Sequence, residues 1–305
     1  MSSPKVSIVT PTYNRCQYIG GLVRTVLAQT YPDFELIIVD DGSRDGTRTV
    51  VEKHVAAHPG RIRYLHQENQ GSAAARNRGI READGEIIAF LDSDDEWSPE
   101  FVTRVVNALA DGSRQWAVTA ARKVTVDADG DEHDEVIETV DIQRHRELFN
   151  RELTVYDSLI VGNYLGGASR VAATREALLN VGGFREDLRL SQDYELWLRL
   201  AKRGYQLAII NEPLVLYRKT LDSVTKTRYI EALRCGYKIM IDYAPDAVRR
   251  DPALNALYAR KFWDYAREIH HHPHPDRRLF IHCLLRSLWY KFRHALFGKR
   301  QSGSQ

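Results

Sequence analysis

The stretch EIIAFLDSDDEW, residues Glu86–Trp97, decides how the chain is read. Ile87–Leu91 is a short apolar run, as expected of a strand buried on both faces of a parallel sheet. It stops abruptly at Asp92, Ser93, Asp94, Asp95 and Glu96. Four carboxylates in five positions repel one another and call for solvent, a cation or both. At the carboxyl end of a buried strand they stand where open α/β sheets place their ligands. Alternate strand residues point the same way, so Asp92 and Asp94 can converge on one hard cation. Ser98 and Pro99 then read as the N-cap and first position of a helix running to Leu109.

Toward the amino end, the chain alternates regularly. Val6–Thr10 reads as a strand, Tyr18–Gln29 as a helix, and Phe34–Val39 as a second strand ending in Asp40-Asp41-Gly42-Ser43. A helix to about His58, a strand at Ile62–Leu65 and a helix at Ala73–Ala83 follow. This alternation predicts βαβ units and a parallel sheet, and it brings Asp40-Asp41 and Asp92–Asp95 to one edge of that sheet. Neither a dinucleotide-type glycine fingerprint nor a P-loop follows the first strand. A metal on the Asp92/Asp94 pair is the available substitute for holding phosphates.

Toward the carboxyl end, Trp116–Val126 reads as a strand and Asp127–Asp131 as a hairpin-like turn with a poor match to a calcium loop. Arg151–Val161 is mixed, and the glycine-rich Gly162–Gly167 suits close approach to a ligand or another backbone. A short helix spans Thr174–Asn180. Ser191 reads as the cap of an amphipathic helix at Gln192–Lys202. Gln206–Ile210 and Leu214–Tyr217 are expected as the last strands. From Thr225 the pattern is helical, at Tyr229–Tyr243, Pro252–Ile269 and Leu279–Phe297, with His270–Pro275 as a loop and Lys299–Gln305 as a frayed end.

The net charge of +2 conceals an asymmetry. Residues 1–215 carry 25 Lys/Arg against 33 Asp/Glu, a net of −8, whereas residues 216–305 carry 18 against 8, a net of +10. The change coincides with the end of the strand–helix alternation. It predicts an acidic α/β domain at 1–217 and a basic helical region at 218–305. Cys16, Cys235 and Cys283 are too few and too far apart for a disulfide framework and fit a reducing compartment. No signal-peptide pattern opens the chain and no apolar run approaches the ~20 residues of a membrane span. The expected location is therefore cytoplasmic, including peripherally on the inner face of the membrane.

In order, VSIVTPTYNR, IIVDDGSRDGT, QGSAAARNRGI, IIAFLDSDDEWSPEF, VGGFRE and QDYELWLRLA resemble the family 2 glycosyltransferases, the inverting nucleotide-sugar enzymes of GT-A type. The resemblance covers Val6 to about Tyr217. It implies a single Rossmann-like, mostly parallel sheet flanked by helices, a nucleotide-sugar donor (UDP- or dTDP-sugar favoured), and Mn²⁺ or Mg²⁺. By this resemblance Pro11, Thr12, Tyr13, Asn14, Asp40, Asp41, Gly71, Arg76, Asn77, Asp92 and Ser93 line the donor nucleotide. Asp41 is favoured for the base, since an ionised carboxylate accepts a pyrimidine N–H. Asp94, with Asp92, binds the metal, which neutralises the leaving diphosphate. Asp193 is the general base, expected to be kept ionised by the helix amino terminus. Gly166, Gly167, Gln192 and Trp197 are candidates for the acceptor side. Family members usually carry Glu-Asp where this chain has Gln192-Asp193, so a neighbouring negative charge is lost.

The implied acceptor is a glycan or a lipid-linked saccharide, and no nucleic acid partner is expected. Alternatives are a saccharide-binding or scaffold module with a GT-A fold, favoured by Gln192, a nucleotidyltransferase, and an aspartate-nucleophile phosphatase. The last two lack their own signatures after the first strand. From Arg277 to the end there are seven Lys/Arg and no acid, on a helix with an apolar stripe of Phe280, Ile281, Leu284, Leu285, Leu288, Trp289, Phe292 and Leu296. That stripe suits an anionic membrane surface, the catalytic domain, or a second copy in a homo-oligomer.

Overall fold

VSIVTPT at Val6–Thr12 forms strand β1, every residue of which is buried. β2 (Phe34–Asp40) and β4 (Ile87–Phe90) are buried throughout as well; β4 is apolar along its length, whereas β2 buries Glu35, which accepts from the Ser7 hydroxyl at 2.6 Å. β3 (Ile62–His66) lies at the sheet edge and is more exposed. Helices α1 (Ile19–Leu27), α2 (Thr47–Ala57) and α3 (Ser72–Glu82) connect these four strands, which pair in parallel in the order β3-β2-β1-β4. The computed structural model describes residues 3–127, 132–144, 146, 152–219, 228–252 and 254–298.

Beyond β4 the sheet is mixed. Glu96–Trp97 forms β5, and α4 (Phe101–Leu109) leads to β6 (Trp116–Val126) and β7 (Glu132–Glu138). α5 (Val155–Val161) and a 3-10 turn at Ala168–Arg170 precede β8 (Val171–Thr174), α6 (Arg175–Asn180), α7 (Gln192–Lys202) and β9 (Leu207–Lys219). β8 enters antiparallel between β4 and β6, β9 runs parallel to β6, and β5 closes on β9. β6 and β7 pair antiparallel on either side of the expected hairpin turn, whose residues 128–131 lie outside the described residues. One sheet face packs Val6, Ile8, Leu36, Ile38, Ala89 and Leu91 against Ile19, Leu22, Val26, Phe101 and Val105 from α1 and α4.

Several expectations are corrected. Ser98 does not cap a helix; its hydroxyl bonds Glu100 Oε2 at 2.9 Å, and α4 starts at Phe101. Trp97 instead joins a strand, with its indole N–H donated to Ser169 O at 2.8 Å. The two last strands are one, β9, because register shifts opposite Thr119–Ala121 absorb Pro213, which has no N–H to give the ladder. Arg151–Val161, read as mixed, contains α5, whose Thr154 and Asp157 form a capping box. Ser191 has φ 59°, the left-handed region rather than the extended backbone usual for an N-cap.

The chain divides into two compact units. The first comprises Met1–Asp141, Tyr164–Leu188 and Gln192–Ser223, and holds the sheet; the second comprises Ile142–Asn163, Arg189–Ser191 and Val224–Gln305. In the second, α8 (Tyr229–Arg250), α9 (Leu254–His271) and α10 (Arg277–Gly298) carry its core. α8 runs on past Tyr243 and accommodates Pro245 within the helix. Leu233, Ala266, Ile269, Leu279 and Cys283 form one cluster, and the rings of Phe262 and Tyr290 stack at 5.6 Å. Asp276 Oδ1 accepts the Leu279 N–H at 3.1 Å and so caps α10. All three cysteines are free.

Candidate active site

The carboxyl ends of β1, β2, β3 and β4 share one edge because the strands are parallel, with Thr12 level with Asp40 and Asp40 level with His66. The loops leaving that edge form the candidate site. Its glycines and acids hold one another in place before any ligand is considered.

The two acids after β2 do different things. Asp40 is fully buried; one oxygen accepts the Ser43 N–H at 2.8 Å and the other the Tyr64 hydroxyl at 2.6 Å. It holds the turn, and both its oxygens are engaged within the protein. Asp41 clasps the loop before α3, accepting from Gln67 Nε2 at 2.8 Å, Gln70 N–H at 2.9 Å and Gly71 N–H at 2.8 Å. Gly71 precedes α3 with φ 96°, a conformation that L side chains rarely adopt. At the end of β1, Pro11 and Thr12 are buried, and the Thr12 hydroxyl has no hydrogen-bond partner among the described residues. Tyr13 is exposed, while Asn14 has φ 52° and bonds the Ser43 and Arg44 region through its N–H and Oδ1.

Arg76 is the hinge of the site. It is buried; its Nη2 donates to Asp92 Oδ1 at 2.5 Å and its Nη1 to Gln192 Oε1 at 3.4 Å, above the Phe184 ring. Gln192 Nε2 in turn donates to Ser72 at 3.0 Å. Asn77, expected along the nucleotide, instead clasps the GGFRE turn. Its Nδ2 donates to Phe184 O and Glu186 Oε1, each at 2.8 Å, and its Oδ1 accepts the Phe184 N–H at 2.7 Å. Gly183 is required there, since a Cβ would stand 2.4 Å from Asn77 Oδ1.

After β4, Asp92 donates its N–H to Ser169 Oγ at 3.0 Å, and Ser169 donates to Asp95 Oδ2 at 2.5 Å. Ser93 and Asp95 are buried. Asp94 is about one-third exposed and lies 3.8 Å from Arg15 Nη2. Burial pushes the Asp95 carboxyl well above its ordinary range, and the charges of Asp94 and Asp92 push it further. Tyr217, near the end of β9, is raised by burial and then by Asp95, Asp94, Asp92 and Asp193.

Asp193 lies in the first turn of α7, its Oδ1 accepting the Tyr194 N–H at 2.7 Å. Its pKa is raised by burial, against the opposing pull of that N–H and of Arg76. The expected dominance of the helix terminus is thus reversed: desolvation outweighs it. A Cβ at Gly167 would stand 3.9 Å from Asp193 Oδ2, an ordinary contact that places the glycine beside this carboxylate. Gly166 has φ 78°, and a Cβ there would meet Arg170 Nη1 at 2.6 Å. Trp197, expected on the acceptor side, is fully buried between Trp116 and Phe184 and belongs to the core.

Ser169, Arg15, Ser72 and Tyr217 were not singled out from the sequence. Arg15 was legible as the end of TPTYNR; the others are brought in by β8, α3 and β9 packing and have no local signature.

The model for the family described as Glycosyl transferase family 2 matches residues 7–168, more than half of the chain. The chain belongs to the family 2 glycosyltransferases. This glycosyltransferase is 32% identical over 235 residues to a Bacillus subtilis (strain 168) protein named "Putative teichuronic acid biosynthesis glycosyltransferase TuaG", covering 77% of the chain and 86% of that protein. It is 42% identical over 105 residues to an uncharacterized glycosyltransferase of Nostoc sp., covering 34% of the chain and 33% of that protein. The transferase thus spans most of the Bacillus protein but only about a third of the Nostoc relative. Among solved structures, it resembles S. aureus TarS with a TM-score of 0.61 at 20% identity, covering 85% of the chain and 43% of TarS. It also resembles the mannosyltransferase PcManGT from Pyrobaculum calidifontis, solved with GDP-Man and Mn²⁺, with a TM-score of 0.61 at 19% identity, covering 97% and 76%. These likenesses establish the fold as that of the GT-A glycosyltransferases.

Proposed function

We propose that this glycosyltransferase moves a sugar from a nucleotide-diphosphate-sugar, UDP- or dTDP-sugar favoured, to a hydroxyl of a saccharide or lipid-linked acceptor, with inversion at the anomeric carbon. The transferase domain is proposed at residues 1–217, with 218–305 as an accessory helical region to which Ile142–Asn163 and Arg189–Ser191 contribute. The observation that carries the reading is that buried Arg76 holds Asp92 at 2.5 Å and Gln192, the chain neighbour of Asp193, at 3.4 Å at the carboxyl edge of the sheet. Relatives in fold have been solved with UDP and UDP-GlcNAc (TarS) and with GDP-Man (PcManGT), which supports a nucleotide-sugar donor.

Among the described residues no group of three or more His, Cys, Asp or Glu is arranged to hold a metal ion. The donor set still fits Mn²⁺ or Mg²⁺, which are commonly held by one or two carboxylates together with phosphate oxygens. Burial, and after it the charges of Asp94 and Asp92, raises the Asp95 carboxyl, so Asp95 is the weakest ligand candidate of the three. Asp94, with Asp92, would hold the cation, and when bound it would neutralise charge on the leaving diphosphate. Arg15 and Arg76 supply positive charge on either side of that place. Asp41 orders the loop along which the nucleoside would lie, and Arg76 fixes Asp92. Asp193 takes the proton of the acceptor hydroxyl at Oδ2, the oxygen that does not accept the Tyr194 N–H. Its raised pKa makes it a stronger base than a solvated carboxylate.

Calorimetry of UDP binding tests the donor half. Asp94→Ala should abolish the Mn²⁺ dependence of the affinity; wild type and variant with equal, Mn²⁺-dependent affinity would remove Asp94 from the site.

A further inference from the structure

The apolar residues of α10 do not form one stripe. At 3.6 residues per turn, Leu279, Cys283, Ser287 and Tyr290 share one face, and all four are buried in the core of the second unit. Ile281, Leu285, Leu288 and Phe292 stack on the opposite face, with Trp289 beside them. These five side chains are 41–63% exposed. A helix with a satisfied core face has no structural need for a second apolar face. The exposed surface extends to α9, where Trp263 is 48% exposed and Lys291 Nζ sits 5.2 Å from its ring. Arg293 lies over Trp289 at 4.8 Å.

Charge identifies the occupant. From Arg277 to the end of the chain there are seven Lys/Arg and no acid. The acids of α9 are engaged elsewhere, Asp264 with Arg260 and Arg267 and Glu268 with Tyr229. A second copy docking by the same face would bring two basic, acid-free helices together, a like-charge approach. An anionic lipid surface meets the same face with opposite charge. Its headgroup layer also accepts tryptophan rings and the apolar side chains beneath them.

We propose that the face of α10 formed by Ile281, Leu285, Leu288, Trp289 and Phe292 docks onto an anionic lipid bilayer, lying in its plane. No helix among the described residues is long and apolar enough to cross a membrane, so the contact is peripheral. It does not depend on the transfer reaction, and its test does not use one.

Co-sedimentation of the full chain with phosphatidylcholine vesicles, with and without phosphatidylglycerol, measures the contact directly. Wild-type protein should pellet with the anionic vesicles only, and high salt should release it. Leu285→Ser/Leu288→Ser/Phe292→Ser, all on the exposed face, should keep the wild-type melting temperature and lose at least tenfold in partitioning. Arg277→Glu/Lys291→Glu should weaken binding as high salt does, and provides the answer should the triple variant not fold. Wild-type protein that stays in the supernatant with anionic vesicles at low salt overturns the proposal. So does a stable dimer that the triple variant converts to monomer, because the face would then be covered by a second copy.

Discussion

Asp193 shows what a single residue gains from its surroundings. Its place in the first turn of α7 offers partial positive charge, and Tyr194 and Arg76 pull its pKa down, yet burial raises it overall. A base with a raised pKa is lost on acidification earlier than an ordinary carboxylate. The turnover of the wild-type enzyme is therefore expected to fall as pH drops through a value above the usual Asp range of about 4. Asp193→Asn should leave UDP affinity nearly unchanged and reduce turnover by ~10²-fold or more, the scale of general-base catalysis. Near-normal transfer by that variant would place the base elsewhere. Gln192 bears on the same point: it accepts from Arg76 without adding a charge beside Asp193.

Turns and caps fix the elements around the site. Gly166 and Gly60 both have positive φ, 78° and 77°, but only Gly166 also faces an obstruction, Arg170 at 2.6 Å from a built Cβ. Arg170 itself is buried, with its Nε donated to Thr119 O at 2.8 Å and its Nη2 to Glu138 O at 2.9 Å. It cannot move aside without breaking those bonds. Gly166→Ala should thus cost more than Gly60→Ala, which carries only backbone strain on the order of 1 kcal/mol. Urea denaturation of the two variants checks the order; equal losses would mean that Arg170 yields freely.

At the scale of the whole molecule, α10 serves two purposes at once. Its inner face, with Leu279, Cys283, Ser287 and Tyr290, completes the helical core, and Ser287 Oγ donates to Ala259 O at 2.8 Å. Deleting 277–305 should therefore lower the melting temperature and expose apolar surface of α9, whatever the outer face binds. A truncated protein melting at the wild-type temperature would contradict the packing described for the second unit. Point changes on the outer face are the cleaner probe of docking for the same reason.

The sequence alone determined the first half of the sheet and the edge at which the candidate site lies. β1, β2 and β4 are buried on both faces, so their composition states their class without help from neighbours. Parallel strands joined by helices then leave one edge for Asp41, Asp92 and Asp94. Tertiary structure decided the rest. β8 is only four residues long and enters between β4 and β6, so nothing local marks it, yet it positions Ser169 between Asp92 and Asp95. Asn77 and Trp197 sit inside site-like motifs but are consumed by the GGFRE turn and the core, since a polar or aromatic side chain reads the same in a sequence whether it faces ligand or protein. The sign of the Asp193 shift and the division of α10 into two apolar faces were likewise settled by packing. Both depend on how many atoms surround a group, and sequence periodicity does not carry that quantity.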